Sequence, residues 1–261
     1  MSRSSKTALL GRFSLGGRVF VGEVEDDSVA EMDSPLMADA IAGKVRRTGR
    51  THALRDLEVL APVERPSKIV CVGLNYRSHI REMNWDPPRV PMIFSKPSSA
   101  IVGPGADIVI PRMSSRVDYE GECAVVIGRR ARHVPDGSAH IFGYTCFNDV
   151  TARDLQKTDV DWTRAKGFDT FAPMGPFISR SPPTRVVTRL NGKVVQDAPL
   201  SDRVFDDSAL IEYISGIMTL EPGDIVATGT PAGIGALRQD DVVEVELDGV
   251  GVLRNQVVIE R

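Results

Sequence analysis

Glu120 and Glu122, in Asp118-Tyr119-Glu120-Gly121-Glu122, open an apolar run over residues 123–127 that predicts a buried β-strand. Residues two apart on a strand share a face, so the two carboxylates are expected to project together from an element that continues into the core. Two anions in a poorly solvated place repel and resist ionisation unless a positive charge lies between them. A hard divalent cation bound by oxygens meets that demand. Asp149, in Phe147-Asn148-Asp149 and 27 residues after Glu122, offers a third carboxylate. An isolated Glu-x-Glu reads equally well as a solvated edge-strand pair; the apolar continuation and the polar residues around Asp149 favour the ion.

Asp149, Arg153 and Gln156 fall at i, i+4 and i+7, so a helix over residues 149–158 would carry a carboxylate, a guanidinium and an amide along one face. A capping Asp paired with an Arg one turn later would give the same pattern. Lys166 lies among glycine, proline and aromatic residues, which describes an ordered loop in which an ammonium could hold an anion or an enolate oxygen as a point charge. His79 and Glu82 stand at i, i+3 on a short helix, where the carboxylate can orient the imidazole as a general base. Such a pair is more often a plain surface contact. Residues 228–235, Thr-Gly-Thr-Pro-Ala-Gly-Ile-Gly, lack the Gly-Lys-Ser/Thr of a P-loop. Their backbone N–H groups and the Thr230 hydroxyl could still grip a carboxylate, although a tight turn accounts for the glycines as well.

These side chains need a scaffold, and the pattern predicts one rich in strands. Residues 12–15 and 18–24 read as a hairpin joined at Gly16-Gly17, and 37–45 as a short helix. Pro62 through Pro66 marks a boundary between a small N-terminal module, residues 1–62, and a main domain, residues 63–261. Strands are expected at 68–72, 92–96, 107–110, 122–127, 141–148, 184–190, 224–227, 241–247 and 249–258, with a tight turn at Asn191-Gly192. Helices are few: 76–83, 149–158 and 208–215. The fold class is α+β and β-rich, without βαβ alternation.

Composition sets the wider limits. The 261 residues are 42% hydrophobic and 26% charged, with a net charge of −3 and both signs interspersed. No basic face of the kind that binds nucleic acid is apparent. No run approaches the roughly 20 apolar residues of a membrane span, and the opening Met-Ser-Arg-Ser-Ser-Lys does not read as a secretory leader. Three cysteines at irregular spacing, two of them in apolar runs, are expected as buried free thiols, which fits a cytoplasmic location. Zinc is not expected, because no Cys-x-x-Cys occurs and the four histidines are scattered.

Taken together these segments resemble the fumarylacetoacetate hydrolase family over residues 66–258. The resemblance rests on Gly73-Leu-Asn-Tyr76 with His79 and Glu82, Asp118-Tyr-Glu-Gly-Glu122, Gly143-Tyr144 through Asn148-Asp149-Val-Thr-Ala-Arg-Asp154, Lys166-Gly-Phe-Asp-Thr-Phe171 with Met174-Gly-Pro176, Leu220-Glu-Pro-Gly-Asp224, and Ala227-Thr-Gly-Thr-Pro-Ala-Gly233. Residues 1–62 resemble the short leader of compact bacterial and archaeal members. The resemblance implies a mixed β-sandwich roll with a small N-terminal module, assembled as a homodimer. It implies Mg²⁺ or Mn²⁺ on Glu120, Glu122 and Asp149, an active-site lysine at Lys166, substrate-orienting Arg153 and Gln156, and Thr230 on a substrate-carboxylate loop. His79 and Glu82 match a pair carried on a mobile lid. The larger fumarylacetoacetate hydrolases have a further upstream acidic ligand and a longer N-terminal domain; without their counterpart here, fumarylacetoacetate itself is a less expected substrate. The implied activity is C–C bond hydrolysis or decarboxylation of a small 2-oxo acid, acylpyruvate or oxaloacetate, through a metal-stabilised enolate. Isomerisation of 2-hydroxyhepta-2,4-diene-1,7-dioate is the enzymatic alternative, and a non-catalytic metal-stabilised binding module is the alternative of another class.

Overall fold

The computed structural model describes residues 9–261. The long apolar strand Gly121–Ile127 lies near the middle of a twelve-stranded sheet, between Ile141–Asn148 and Ile225–Ala227. It is buried along its whole length because both faces of the sheet are covered. Cys123, Val125 and Ile127 face a core shared with Val186, Val245 and Leu253 of a five-stranded second sheet and with Leu210, Ile211 and Ile214 of the helix Asp207–Ile217. Ala124 and Val126 face the opposite core, with Ile69, Cys71 and Met174. Burying each of these larger aliphatic side chains contributes roughly 1.5–3 kcal/mol, so the centre of the sheet is a rigid platform. Glu122 has the parity of Ala124 and Val126, at the end of the strand where that core opens.

Residues 9–62 extend this sheet. Leu9–Leu15 pairs antiparallel with Ala172–Ser179, and Arg18–Glu25, Ser28–Met32 and Arg47–Ala53 continue it outwards. The first hairpin turns at Gly16 and Gly17, whose φ angles of 57° and 83° suit the left-handed turn expected from the sequence. The turn at Asn191 and Gly192 has the same character, with φ of 52° and 78°. All three cysteines are free and buried, and each lies in a strand.

Several expectations shift. The helix from Asp149 does not form: Thr151–Ala152 is a short strand paired with Val117 and Asp118, and only Arg153–Thr158 is helical. Asp149 is held instead by lysines, and β-branched Val150 and Thr151 suit extended backbone. Lys166 ends a one-turn helix, Thr163–Lys166, where a loop was expected. Ala172–Ser179, left unassigned by the strand pattern, runs between Leu9–Leu15 and Ile141–Asn148. Its prolines argue against a central strand, but the pairing slips between Tyr144 and Cys146, and this irregularity accommodates Pro176. Ser28–Met32 and Arg47–Ala53 also add strands that the alternation did not show; the latter is polar because it closes the edge of the sheet.

Candidate active site

Three carboxylates meet where the central strand begins. One oxygen each of Glu120, Glu122 and Asp149 lies within 4.8 Å of the others, and all three residues are buried. Glu120 is not on the long strand; it occupies the junction between Val117–Tyr119 and Gly121–Ile127. The Asp149 N–H donates to the Glu120 carbonyl at 2.9 Å, and the Glu120 N–H donates to Asn148 Oδ1 at 3.0 Å. The two acidic segments are thereby locked together through backbone.

Cations reach two of the three acids. Lys166 Nζ donates to Glu120 at 3.0 Å and to Asp149. Lys96, at the end of Met92–Lys96, donates to the second Asp149 oxygen at 2.5 Å and to the Val150 carbonyl at 2.9 Å. Arg153 bonds Asp118 at 2.9 Å, Glu120, and Gln156 Oε1 at 2.6 Å. Asp118 is held in turn by Arg116. The alternative of a capping Asp149 paired with Arg153 is thus absent; Arg153 bonds Asp118 and Glu120.

Glu122 differs. Its hydrogen-bond donor is the Gly229 N–H at 2.8 Å, and no cation among the described residues is paired with it. Burial, with Asp149 and Glu120 beside it, pushes the Glu122 carboxyl well above the usual carboxylate range. Burial also acts to raise Glu120, but Lys166 and Arg153 outweigh it and hold that carboxyl below the usual range. Burial pushes the Lys96 ammonium down against the pull of Asp149. For Lys166 burial acts the same way, but Asp149 and Glu120 prevail and raise it. An all-oxygen donor set with one buried carboxylate lacking a cation fits a hard divalent ion such as Mg²⁺ or Mn²⁺.

The acids form the floor of a cavity of about 330 Å³, whose walls include Leu74, Met83, Trp85, Met92, Phe94 and Trp162. His79, Arg153, Gln156, Lys157, Lys166 and Thr230 supply its other polar lining. Eight of the nine residues singled out from the sequence therefore line this cavity, and the ninth, Glu82, lies behind His79. His79 Nδ1 lies 2.8 Å from Glu82 Oε2, and the Gly233 N–H donates to the other Glu82 oxygen at 2.9 Å. The helix Arg77–Glu82 is thus tied to the loop after Ile225–Ala227.

That loop is itself anchored to the turn that starts the helix. Asn75 Nδ2 donates to the Thr228 carbonyl at 2.8 Å, next to Leu74, which has a left-handed φ of 53°. Gly229 has φ of 95°, and a Cβ there would meet Asn75 Cβ at 2.8 Å, so only glycine suits the position. Thr230 Oγ1 donates its hydrogen to the Gly121 carbonyl at 3.0 Å and accepts from Gln196 Nε2 at 2.8 Å. The hydroxyl hydrogen expected to face a carboxylate is committed to the acidic strand in this arrangement.

The sequence pattern does not mark Lys96 or Gln196, and it gives Asp118 no task. A lysine closing an apolar strand was the available sign for Lys96. Nothing local marks Gln196, which arrives from another sheet.

The fold and this cavity define a β-rich α+β protein of an enzymatic class with a buried acidic site. The model described as fumarylacetoacetate (FAA) hydrolase C-terminal matches residues 68–258, and that described as Rv2993c-like, N-terminal matches residues 9–62. The chain belongs to the fumarylacetoacetate hydrolase family. Protein Rv2993c of Mycobacterium tuberculosis is 46% identical over 245 residues, 91% of each chain. The mitochondrial oxaloacetate tautomerase FAHD2A of Bos taurus is 43% identical over 220 residues, covering 78% of this chain and 70% of the relative. The crystal structure of 2-hydroxyhepta-2,4-diene-1,7-dioate isomerase from Mycobacterium marinum matches with a TM-score of 0.87 and 40% identity, over 97% of this chain and 99% of that one.

Proposed function

We propose that this protein is a Mg²⁺- or Mn²⁺-dependent enzyme that moves a proton between the enol and keto forms of a small 2-oxo acid of the oxaloacetate type. The observation that carries this reading is the shared cavity: an acidic triad with an unpaired Glu122 at its floor, and a hydrogen-bonded His79–Glu82 pair in its wall. Relatives named as an oxaloacetate tautomerase and a dienoate isomerase support enol–keto chemistry.

Glu120, Glu122 and Asp149 would hold the divalent ion. When bound, such an ion supplies Lewis-acid stabilisation of an oxygen that gains negative charge, worth several kcal/mol. Lys166, fixed between Glu120 and Asp149, adds a preorganised positive charge at the same place. Because Arg153 already engages the Gln156 carbonyl oxygen, the Gln156 amide N–H groups are left to orient the substrate. Glu82 fixes His79 Nδ1, so Nε2 is the nitrogen that gives and takes the proton. Lys157 lines the cavity without an ion-pair partner among the described residues and suits the distal carboxylate of a diacid.

Cleavage of a 2-oxo acid of this class, by loss of CO₂ from oxaloacetate or hydrolysis of an acylpyruvate, each releasing pyruvate, is the second reading. The His79–Glu82 pair favours it, since an oriented imidazole beside a cavity can also activate water. Divalent ions alone promote both reactions of oxaloacetate, so the rate with metal and no protein is the baseline. Acceleration of enol–keto interconversion without pyruvate supports the first reading, and pyruvate formation supports the second. Turnover of neither oxaloacetate nor acetylpyruvate nor the dienoate would sink both. In His79→Ala, kcat should fall on the order of 10²–10⁴-fold with metal affinity unchanged.

A further inference from the structure

The geometry points to Gln196, on the far hairpin of the second sheet, as a positioning residue that sets the spacing of the acidic ligands. This inference rests on the metal-dependent reading above and assigns part of its geometry to a strand remote in sequence. Gln196 is 1% exposed, and its side-chain amide makes three hydrogen bonds. Its Oε1 accepts from the Gly121 N–H at 3.0 Å. Its Nε2 donates to Thr230 Oγ1 and to the Pro231 carbonyl, both at 2.8 Å. Thr230 Oγ1 closes the ring by donating to the Gly121 carbonyl at 3.0 Å.

Gly121 is the residue between Glu120 and Glu122. Both of its peptide groups are therefore gripped, one directly by Gln196 and one through Thr230. Rotation of either peptide would swing a flanking carboxylate, so the clamp fixes the angle between the two. The same amide holds the loop whose Gly229 N–H is the hydrogen-bond donor to Glu122. One side chain thus sets two features of the site, the separation of Glu120 from Glu122 and the position of the donor to Glu122.

The hairpin is built for this. Lys193–Pro199 pairs with Arg185–Leu190, with Thr188 opposite Gln196 and Arg189 opposite Val194, so Val195 is an extra residue. A bulge at that point re-aims the following side chain out of simple alternation. Close packing completes the arrangement. A Cβ on Gly121 would lie 2.0 Å from Thr188 Oγ1, and a Cβ on Gly233 would lie 2.1 Å from the Val195 carbonyl oxygen.

The test is Mn²⁺ titration followed by electron paramagnetic resonance, with thermal midpoints recorded alongside. Gln196→Met keeps the length and removes every hydrogen bond; Mn²⁺ affinity should fall roughly 10–100-fold, as when a residue that orients metal ligands is lost. Thr230→Val cuts the clamp from its other end and should lower affinity about fivefold, which keeps the test open if Gln196→Met does not fold. Thr188→Val alters the same cross-strand pair but removes a hydroxyl that has no partner, and it should leave affinity unchanged. Mn²⁺ affinity within twofold of the parent in the folded clamp variants, or an equal loss in Thr188→Val, overturns the inference. A parent protein that binds no Mn²⁺ overturns both this inference and the functional reading, whereas a parent that binds Mn²⁺ and clamp variants that bind it equally well overturn the clamp alone.

Discussion

Two of the places where this molecule buries carboxylates beside cations are built to opposite ends. Glu31, on Ser28–Met32, is 1% exposed and is met by three side chains. Arg18 bonds it through two nitrogens at 3.0 and 2.7 Å, His52 at 2.8 Å, and Arg50 lies at 3.0 Å. Hydrogen bonding from Arg18 is the chief reason the Glu31 carboxyl is held down to about 2. One anion has more than enough positive charge, and nothing further is asked of the site. In the acidic cavity three anions share their cations unevenly, and Glu122 receives only a backbone N–H. A saturated carboxylate braces a sheet; an unsaturated one facing a cavity calls for a ligand from outside.

The contrast breaks first at Glu122. Glu122→Ala should abolish Mn²⁺ binding and lower activity by about 10³-fold or more, since a Lewis acid is worth several kcal/mol. Calorimetric titration checks this, and unchanged affinity would place the ion elsewhere. Glu31→Gln should do the reverse. It should cost roughly 1–3 kcal/mol of stability by leaving buried donors and cations poorly matched, with Mn²⁺ affinity unaltered. Denaturant titration measures the first effect, and a loss of metal binding would erase the distinction.

The same residue predicts a pH dependence. A carboxyl with a folded-state value of about 2, against an ordinary 4.5, stabilises the fold once it is ionised. Its contribution is present at neutral pH and is lost progressively as pH falls from about 5 towards 2. Acid unfolding followed by circular dichroism should show this loss in the parent and a shallower fall in Glu31→Gln. The smallest expected effect is at Lys157, which is solvent-exposed. Lys157→Ala should raise KM for a diacid about two- to fivefold and leave a monoacid unchanged, consistent with the modest worth of exposed ion pairs. Equal KM changes for both acids would remove its proposed role.

The strand pattern located most of the central sheet because its members are long apolar runs, such as residues 69–73, 123–127 and 141–148. Ala172–Ser179 escaped notice because its prolines obey a local irregularity in pairing that no single segment reveals. The polar edge strand Arg47–Ala53 escaped for the opposite reason, having too little buried surface to show alternation.

The candidate site divides along the same line. Residue types and short spacings identified Glu120, Glu122, Asp149, Lys166, His79 and Glu82, because carboxylates and a lysine in apolar or ordered settings are costly and therefore conspicuous. Spacing grouped Asp149, Arg153 and Gln156 but with the wrong geometry: all three line one cavity, while the helix that carries Arg153 and Gln156 leaves Asp149 outside it. How the charges are distributed was decided only when the chain folded. Lys96 took Asp149, Arg153 took Asp118 and Glu120, and Gln196 came across from the second sheet to clamp Gly121. Chemistry is written in residue types, but which carboxylate is left without a cation depends on long-range contacts that local sequence does not encode.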